Sequence, residues 1–385
     1  MIYTPTFFFI SLANFFNLVS FSAFVLFPLF IGERGGSQLD IGFIMGISTL
    51  SSVLCRPWIS EMIDRLGRRL SCLIGSVFLM LLPLLYFLLA EESSLPYAPL
   101  LLIRVLHGVG FALWLTSAFA FVADIVPNER LSEGVGMFGI SGLTGSALGP
   151  VMAEWIVKYF GFNVLFPAAA AMSSVALLMQ WPIPKAVAAG IPRWRTSKGP
   201  SFFQLMKREK SLLSGVLAFL FGFGLAASNN FVSPMAHERR LAMISLYYVA
   251  YSGAAVSTRL FGARLADSLG ELRIIPYAML LTGLGLFSLV FAHGNAILLL
   301  SGFMAGAGHG LLYPCLNALA LRNVPSEIRG KVAGIFTGSI DAGVFIGSVA
   351  LGLIGELAGF RSLFASAAVA LFFGLVIMKW RMSAD

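Results

Sequence analysis

The chain has 385 residues, 58% of them hydrophobic and 11% charged, with a mean hydropathy of +0.87. Charged residues make up roughly a quarter of a globular sequence, so the apolar excess here must face lipid. The net charge of +8 does not mark a nucleic-acid binder, because the cations fall in short loops between long apolar runs; those continuous runs also exclude a β-barrel, whose strands alternate.

A span needs about 20 mostly apolar residues. Twelve segments meet that length: 6–31, 40–60, 71–90, 97–122, 134–157, 162–182, 211–233, 242–263, 272–293, 296–321, 331–356 and 360–380. The first has no basic residues ahead of it and carries Asn14 and Asn17, which predicts a membrane span and not a cleaved signal. The longest polar interruption, 183–210, holds Pro184, Pro192, Pro200 and seven Lys or Arg. The expected architecture is an all-α polytopic membrane protein. Residues 1–182 form one six-helix bundle, 183–210 a cytoplasmic linker and 211–385 a second, pseudo-symmetric bundle.

With both termini placed inside, 18 Lys or Arg lie on the cytoplasmic side and 5 outside. Three more, Arg56, Arg104 and Arg259, lie within spans. That bias predicts a multi-pass inner-membrane protein with cytoplasmic N and C termini. Only Cys55, Cys72 and Cys315 occur, each in or beside a span, so neither a disulfide framework nor a zinc spacing is present. No metal and no cofactor is expected.

The halves repeat. Arg56, Asp64 and Gly67 after the second span recur as Arg259, Asp267 and Gly270 after the eighth. Val126-Pro127-Asn128-Glu129-Arg130 is matched by Val324-Pro325-Ser326-Glu327 with Arg329 nearby, and Gly145 with Gly149 by Gly343 with Gly347. Gly161-Phe162 with Leu165-Phe166 is matched by Gly359-Phe360 with Leu363-Phe364. Four matches in one order, about 200 residues apart, mark an internal duplication.

At Asp64-Arg65-Leu66-Gly67-Arg68-Arg69 the sequence resembles the signature loop of the major facilitator superfamily, with Ser60 where that signature opens on Gly. Arg104 with Gly108 and Gly110 resembles the superfamily's fourth-helix motif. Gly145-x-x-x-Gly149-Pro150 resembles the fifth-helix motif of its proton-coupled drug and metabolite exporters, although Ala153-Glu154 stand where that motif closes on Gly-Gly. The resemblance implies a secondary transporter that works by alternating access, with the first, fourth, seventh and tenth helices lining a central cavity. It also implies a gating role for the loop after the second span: Asp64, Arg65, Gly67, Arg68 and Arg69, with Asp124 and Arg130 in one charge cluster and Asp267 as the second copy. The plainer account of that loop is topogenic charge alone.

The polar residues inside spans fall on those four helices. Candidate substrate contacts are Asn14 and Asn17 in the first, Arg104 and His107 in the fourth, Asn229 and Asn230 in the seventh, and His309, Tyr313 and Asn317 in the tenth. A charged side chain such as Arg104 costs about 2.5–3.5 kcal/mol at the bilayer centre, so a functional reading comes first, beside interhelical hydrogen bonding. Proton coupling needs a carboxyl group at depth, and Asp341 and then Glu154 are the candidates. Gly145, Gly149 and Pro150 suit a hinge in the fifth span, against simple small-residue packing. The expected partners are a small organic substrate, protons and the bilayer, with no nucleic acid, around a monomer.

Export by proton antiport leads; uptake on the same fold follows from Ala153-Glu154. Met235, His237 and Met243 by an outer loop, and Met304, His309 and Cys315 in the tenth span, could suit a soft metal, but packing accounts for them. A membrane enzyme or sensor is the reading from another class. No His-Glu-x-x-His, Gly-x-Ser-x-Gly or Gly-x-x-x-x-Gly-Lys pattern supports it.

Overall fold

The computed structural model describes residues 4–90, 94–127, 130–183, 209–322, 324 and 329–382, with side chains described at all of these but 64, 131–132, 209–211, 262–269, 329–331 and 381–382. Among the described residues there is no strand; the chain is helix joined by short turns. In chain order the helices are α1 (Pro5–Ala23), α2 (Phe27–Glu33), α3 (Gln38–Leu66), α4 (Arg68–Leu88), α5 (Tyr97–Ile125), α6 (Leu131–Phe160) and α7 (Phe162–Gln180). There follow α8 (Glu209–Asn230), α9 (Val232–Glu238), α10 (Ser245–Leu269), α11 (Glu271–Ser288), α12 (Asn295–Leu321) and α13 (Arg329–Met382).

Ten stretches among the described residues are long and apolar enough to cross a membrane. One of them, Val332–Trp380, holds two spans about Gly359, whose φ of 75° breaks the helix. With α10 added, the twelve expected passes are all present as helices.

Two spans are not continuous, as the sequence had suggested they would be. The first divides at a 3-10 turn, Phe24–Leu26, before α2; the seventh divides at Phe231 before α9. Pro28 and Pro234 explain where. Each sits in the first turn of the second piece, where a backbone N–H has no intrahelical acceptor in any case.

By packing, the chain forms two compact units. Unit 1 takes the described residues of Met1–Gly35 and Leu50–Trp194, and unit 2 those of Gly36–Thr49 and Arg195–Asp385. The start of α3 therefore packs with the second unit, where the sequence placed it in the first. Within unit 1, α1 packs on α6 and α7, and α4 on α5 and α7. Within unit 2, α8 packs on α13, α10 on α12, and α11 on α12 and α13. The expected linker lies almost wholly outside the described residues.

The duplication is visible at the turns. Gly67 and Gly270, with φ of 84° and 82°, stand at the N-caps of α4 and α11. An arginine past each broken span then ties down a neighbouring helix end. Arg34 donates to the carbonyls of Phe30 and Ala90, and Arg239 to those of Leu289 at 2.8 Å and Ala292 at 3.0 Å. These carbonyls at helix C-termini lack intrahelical partners and carry partial negative charge. Both arginines lie outside the spans, and burial holds each guanidinium below its ordinary value.

Candidate functional site

In unit 1, Arg104 and His107 lie one turn apart on α5 and face inward, 3% and 0% exposed. Aromatic rings wall them. The His107 ring meets Phe21 at 5.4 Å and Phe24 at 4.9 Å, both edge-on, and Tyr86 at 5.9 Å. The guanidinium carbon of Arg104 sits 5.6 Å from the centre of Phe27, and its charge bears on the Tyr86 hydroxyl. Neither ring nitrogen of His107 makes a hydrogen bond. Phe27 reaches this place because the first span is broken just before it. Nearer the N-terminal end of α1, Phe7, Phe8, Phe9 and Ser11, with Met137, Ile140 and Ser141 of α6, help line an open apolar recess of about 610 Å³.

In unit 2 a second polar cluster forms between α10 and α12. Gly302, Gly306 and Gly310 recur every fourth residue, and a Cβ on each would run into the carbonyl oxygens of Tyr247, Tyr251 and Ala255 respectively. This small-residue seam brings the two backbones together. Across it the Tyr251 hydroxyl hydrogen-bonds Nδ1 of His309, with the Phe221 ring edge-on to the imidazole at 5.0 Å. Two turns further along α10, the guanidinium carbon of Arg259 lies 5.7 Å from the centre of Tyr313, which also contacts Phe336. The Arg259 Nε is buried with no hydrogen-bond acceptor, and among the described residues no carboxylate pairs with this arginine.

Asn14, Asn17 and Asn230 tie helices together. Asn14 donates to the Phe138 carbonyl and Ser141 Oγ of α6, both at 2.9 Å. Asn17 donates to Ser76 Oγ at 2.9 Å, and Gln180 donates to the same oxygen at 2.7 Å, which knots α1, α4 and α7. Asn230 donates to Ser348 Oγ at 2.7 Å. Asn229 is exposed and Asn317 half-buried. Asp341 and Glu154 are half-buried on α13 and α6.

The charge cluster after the second span differs from expectation in its pairing. Asp124 pairs with Arg68, while Arg130 forms a local pair with Glu133 at 2.6 Å on its own helix. Asp124 and Arg68 cap adjoining helix ends, whereas Arg130 lies beyond the Val126-Pro127 turn. Arg65 pairs with Glu61, one turn back and exposed, and Arg69 donates to the Ile183 carbonyl at 2.8 Å, closing the end of α7. The Asp64 and Asp267 side chains lie outside those described. Gly145 and Gly149 press α6 on α1 so closely that a Cβ would strike the carbonyls of Phe15 and Val19; α6 stays helical through Pro150.

Sequence reasoning did not single out Tyr251 or Tyr86, nor the placement of Arg259 beside Tyr313. Neither tyrosine shares a polar helical stripe of the kind that marked Tyr313, and Arg259 stood out only as a span cation and the repeat of Arg56. The glycine spacing at 302, 306 and 310 was the available clue.

A model of the Major Facilitator Superfamily matches residues 8–240 and 214–385. The chain is 24% identical over 366 residues to the multidrug resistance protein MdtG of Yersinia enterocolitica, covering 92% of this chain and 87% of that one. It is 24% identical over 365 residues to the staphylopine export protein of Staphylococcus aureus, covering 90% and 89%. Among solved structures, the nucleoside transporter NupG superposes with a TM-score of 0.77 at 16% identity, over 97% of this chain and 99% of that one.

Proposed function

The chain belongs to the Major Facilitator Superfamily and is a multi-pass membrane transporter; from that premise we propose that it exports a small organic molecule across the inner membrane by proton antiport. The reading is carried by the match to two export or resistance proteins over about nine-tenths of each chain, together with cationic, aromatic clusters in both units, buried in the first and half-buried in the second. The termini and the linker 183–210 face the cytoplasm, where the basic loops accumulate.

In this scheme Arg104 and His107 in unit 1, and His309 with Tyr313 in unit 2, are substrate contacts. Asp341 or Glu154 carries the exchanged proton, whose release follows when conformational change exposes the carboxyl or brings a cation near. The Arg68–Asp124 pair holds the cytoplasmic ends of α4 and α5 in one arrangement and parts during the cycle. Proton-coupled uptake is the second reading, favoured by Ala153 and Glu154 at the close of the fifth-helix motif.

The test uses everted membrane vesicles from overexpressing cells, energised to an acidic interior and reported by a pH-sensitive dye. Addition of a transported compound from a panel of cationic dyes, quinolones and organic acids dissipates the gradient in the parent and not in Asp341→Asn. Accumulation that ignores the gradient rejects antiport. Movement only in the opposite direction selects uptake.

A further inference from the structure

Within unit 2 lies a span cation, Arg259, with which no carboxylate pairs among the described residues. Arg259 stands mid-helix on α10, with ten residues of that helix still to run, and its neighbours are phenols, an imidazole and hydrocarbon. A guanidinium does not deprotonate in a protein, so within a span it must find a partner or a wet cavity. Arg104 offers a contrast in placement: it lies among the rings of unit 1, 3% exposed, whereas Arg259 and Tyr313 are both half-buried.

The donors around Arg259 point to one kind of ligand. With Tyr251 donating to Nδ1, a neutral His309 carries its proton on Nε2 and has a ring N–H left to give. Tyr313 lies beneath the guanidinium and beside the imidazole, its ring centre 6.2 Å from that of His309. The set therefore offers a planar charged fork beside a neutral ring N–H, a combination that suits a planar oxyanion with two acceptor oxygens. One fixed positive charge balances one negative charge. Phe221 and Phe336 extend the surface with apolar rings.

We propose that Arg259, with His309 and Tyr313 beside it and Tyr251 orienting the imidazole, binds the carboxylate of the transported molecule, which makes the substrate a small aromatic or amphipathic monocarboxylate. The assignment rests on the transport reading above but names the substrate class and moves the main charged contact from the fourth span to the eighth. The α10–α12 glycine seam gives the site its rigidity, because it fixes the spacing of Tyr251 and His309 without flexible linkage.

The test measures binding to purified full-length protein in nanodiscs, by calorimetry and by thermal shift, with three isosteric probes: 4-phenylbutyrate, 4-phenylbutyramide and 4-phenylbutylamine. Variants are Arg259→Gln, Arg259→Lys, Tyr251→Phe and, as a comparison cation, Arg104→Gln. The carboxylate should bind the parent at least tenfold more tightly than the amide, and Arg259→Gln should erase that preference while leaving amide binding unchanged. Tyr251→Phe should weaken carboxylate binding severalfold with Arg259 intact, and Arg259→Lys should retain part of the preference. Unliganded melting temperatures of Arg259→Lys and Tyr251→Phe near the parent keep the comparison valid if Arg259→Gln folds poorly. Equal binding of carboxylate and amide, undiminished carboxylate binding in Arg259→Gln, loss confined to Arg104→Gln, or no binding of any probe each overturn the assignment. Export itself is decided independently by the vesicle measurement, so a failed anion site and a failed transporter give different results.

Discussion

Gly145 of α6 and Gly343 of α13 meet the same obstacle at corresponding places: a Cβ on the first would strike the Phe15 carbonyl of α1, and on the second the Phe219 carbonyl of α8. Replacing either with Leu must force a helix pair apart, an overpacking that costs about 1–3 kcal/mol. Both variants should melt several degrees below the parent in detergent, with Ala substitutions falling between; unchanged melting of Gly145→Leu would show that the contact yields freely. The same residues show what a sequence can hold. Their spacing marked a close approach but could not separate hinge from contact, because that depends on the neighbouring backbone. The asparagines make the point from the other side. A helical stripe places Asn14 and Asn17 on one face, yet Ser76 and Gln180, which complete the Asn17 knot, stand 59 and 104 residues away from their partners.

At the scale of elements, the duplication has preserved a job while exchanging the chemistry that does it. Arg68, just after Gly67, pairs with Asp124, two residues before Val126-Pro127. In the second copy Glu271, just after Gly270, pairs with Arg322 at 2.6 Å, two residues before Val324-Pro325. Each pair joins the start of one helix to the end of the next, and the charges are reversed. The loop motif was legible because it is local; the pairing was not, because charge alone does not choose between Arg68 and Arg130 as the partner of Asp124. The second unit's arrangement predicts that a reversed pair is tolerated in the first. Arg68→Glu and Asp124→Arg singly should each abolish most transport, since one leaves two carboxylates and the other two guanidiniums in contact. The double variant should recover a substantial part of it in the vesicle measurement. A double variant no better than the worse single change would mean that the pair is not the element that holds these ends.

For the whole molecule, twelve spans and the repeat could be read because lipid demands length and hydropathy at every crossing, and a duplication leaves its spacing behind. The sequence does not announce which helix serves two masters. Helix α3 is continuous from Gln38 to Leu66, yet its residues up to Thr49 pack with unit 2 and those from Leu50 with unit 1. Its opening turns are held tightly against α13: Cβ atoms on Gly42 and Gly352 would strike the carbonyls of Ser348 and Gln38, and the Gln38 N–H donates to Glu356 at 2.9 Å. If access alternates, this contact must part once in every cycle, since a helix shared by both units cannot stay fixed to each while they rock. A reversible lock tests that requirement directly. A Cβ built on Gly355 lies 3.5 Å from the Gln38 Cβ, within the roughly 3.5–4.5 Å that a disulfide spans. The nearest obstacle is the flexible end of Leu363 at 2.9 Å. With Cys55, Cys72 and Cys315 replaced by Ser or Ala, the pair Gln38→Cys and Gly355→Cys should cross-link on mild oxidation. Transport should then fall to background and return on reduction, while each single cysteine stays active under both conditions. Full transport by the cross-linked protein would show that α3 and α13 never separate here, and the cycle would have to open elsewhere.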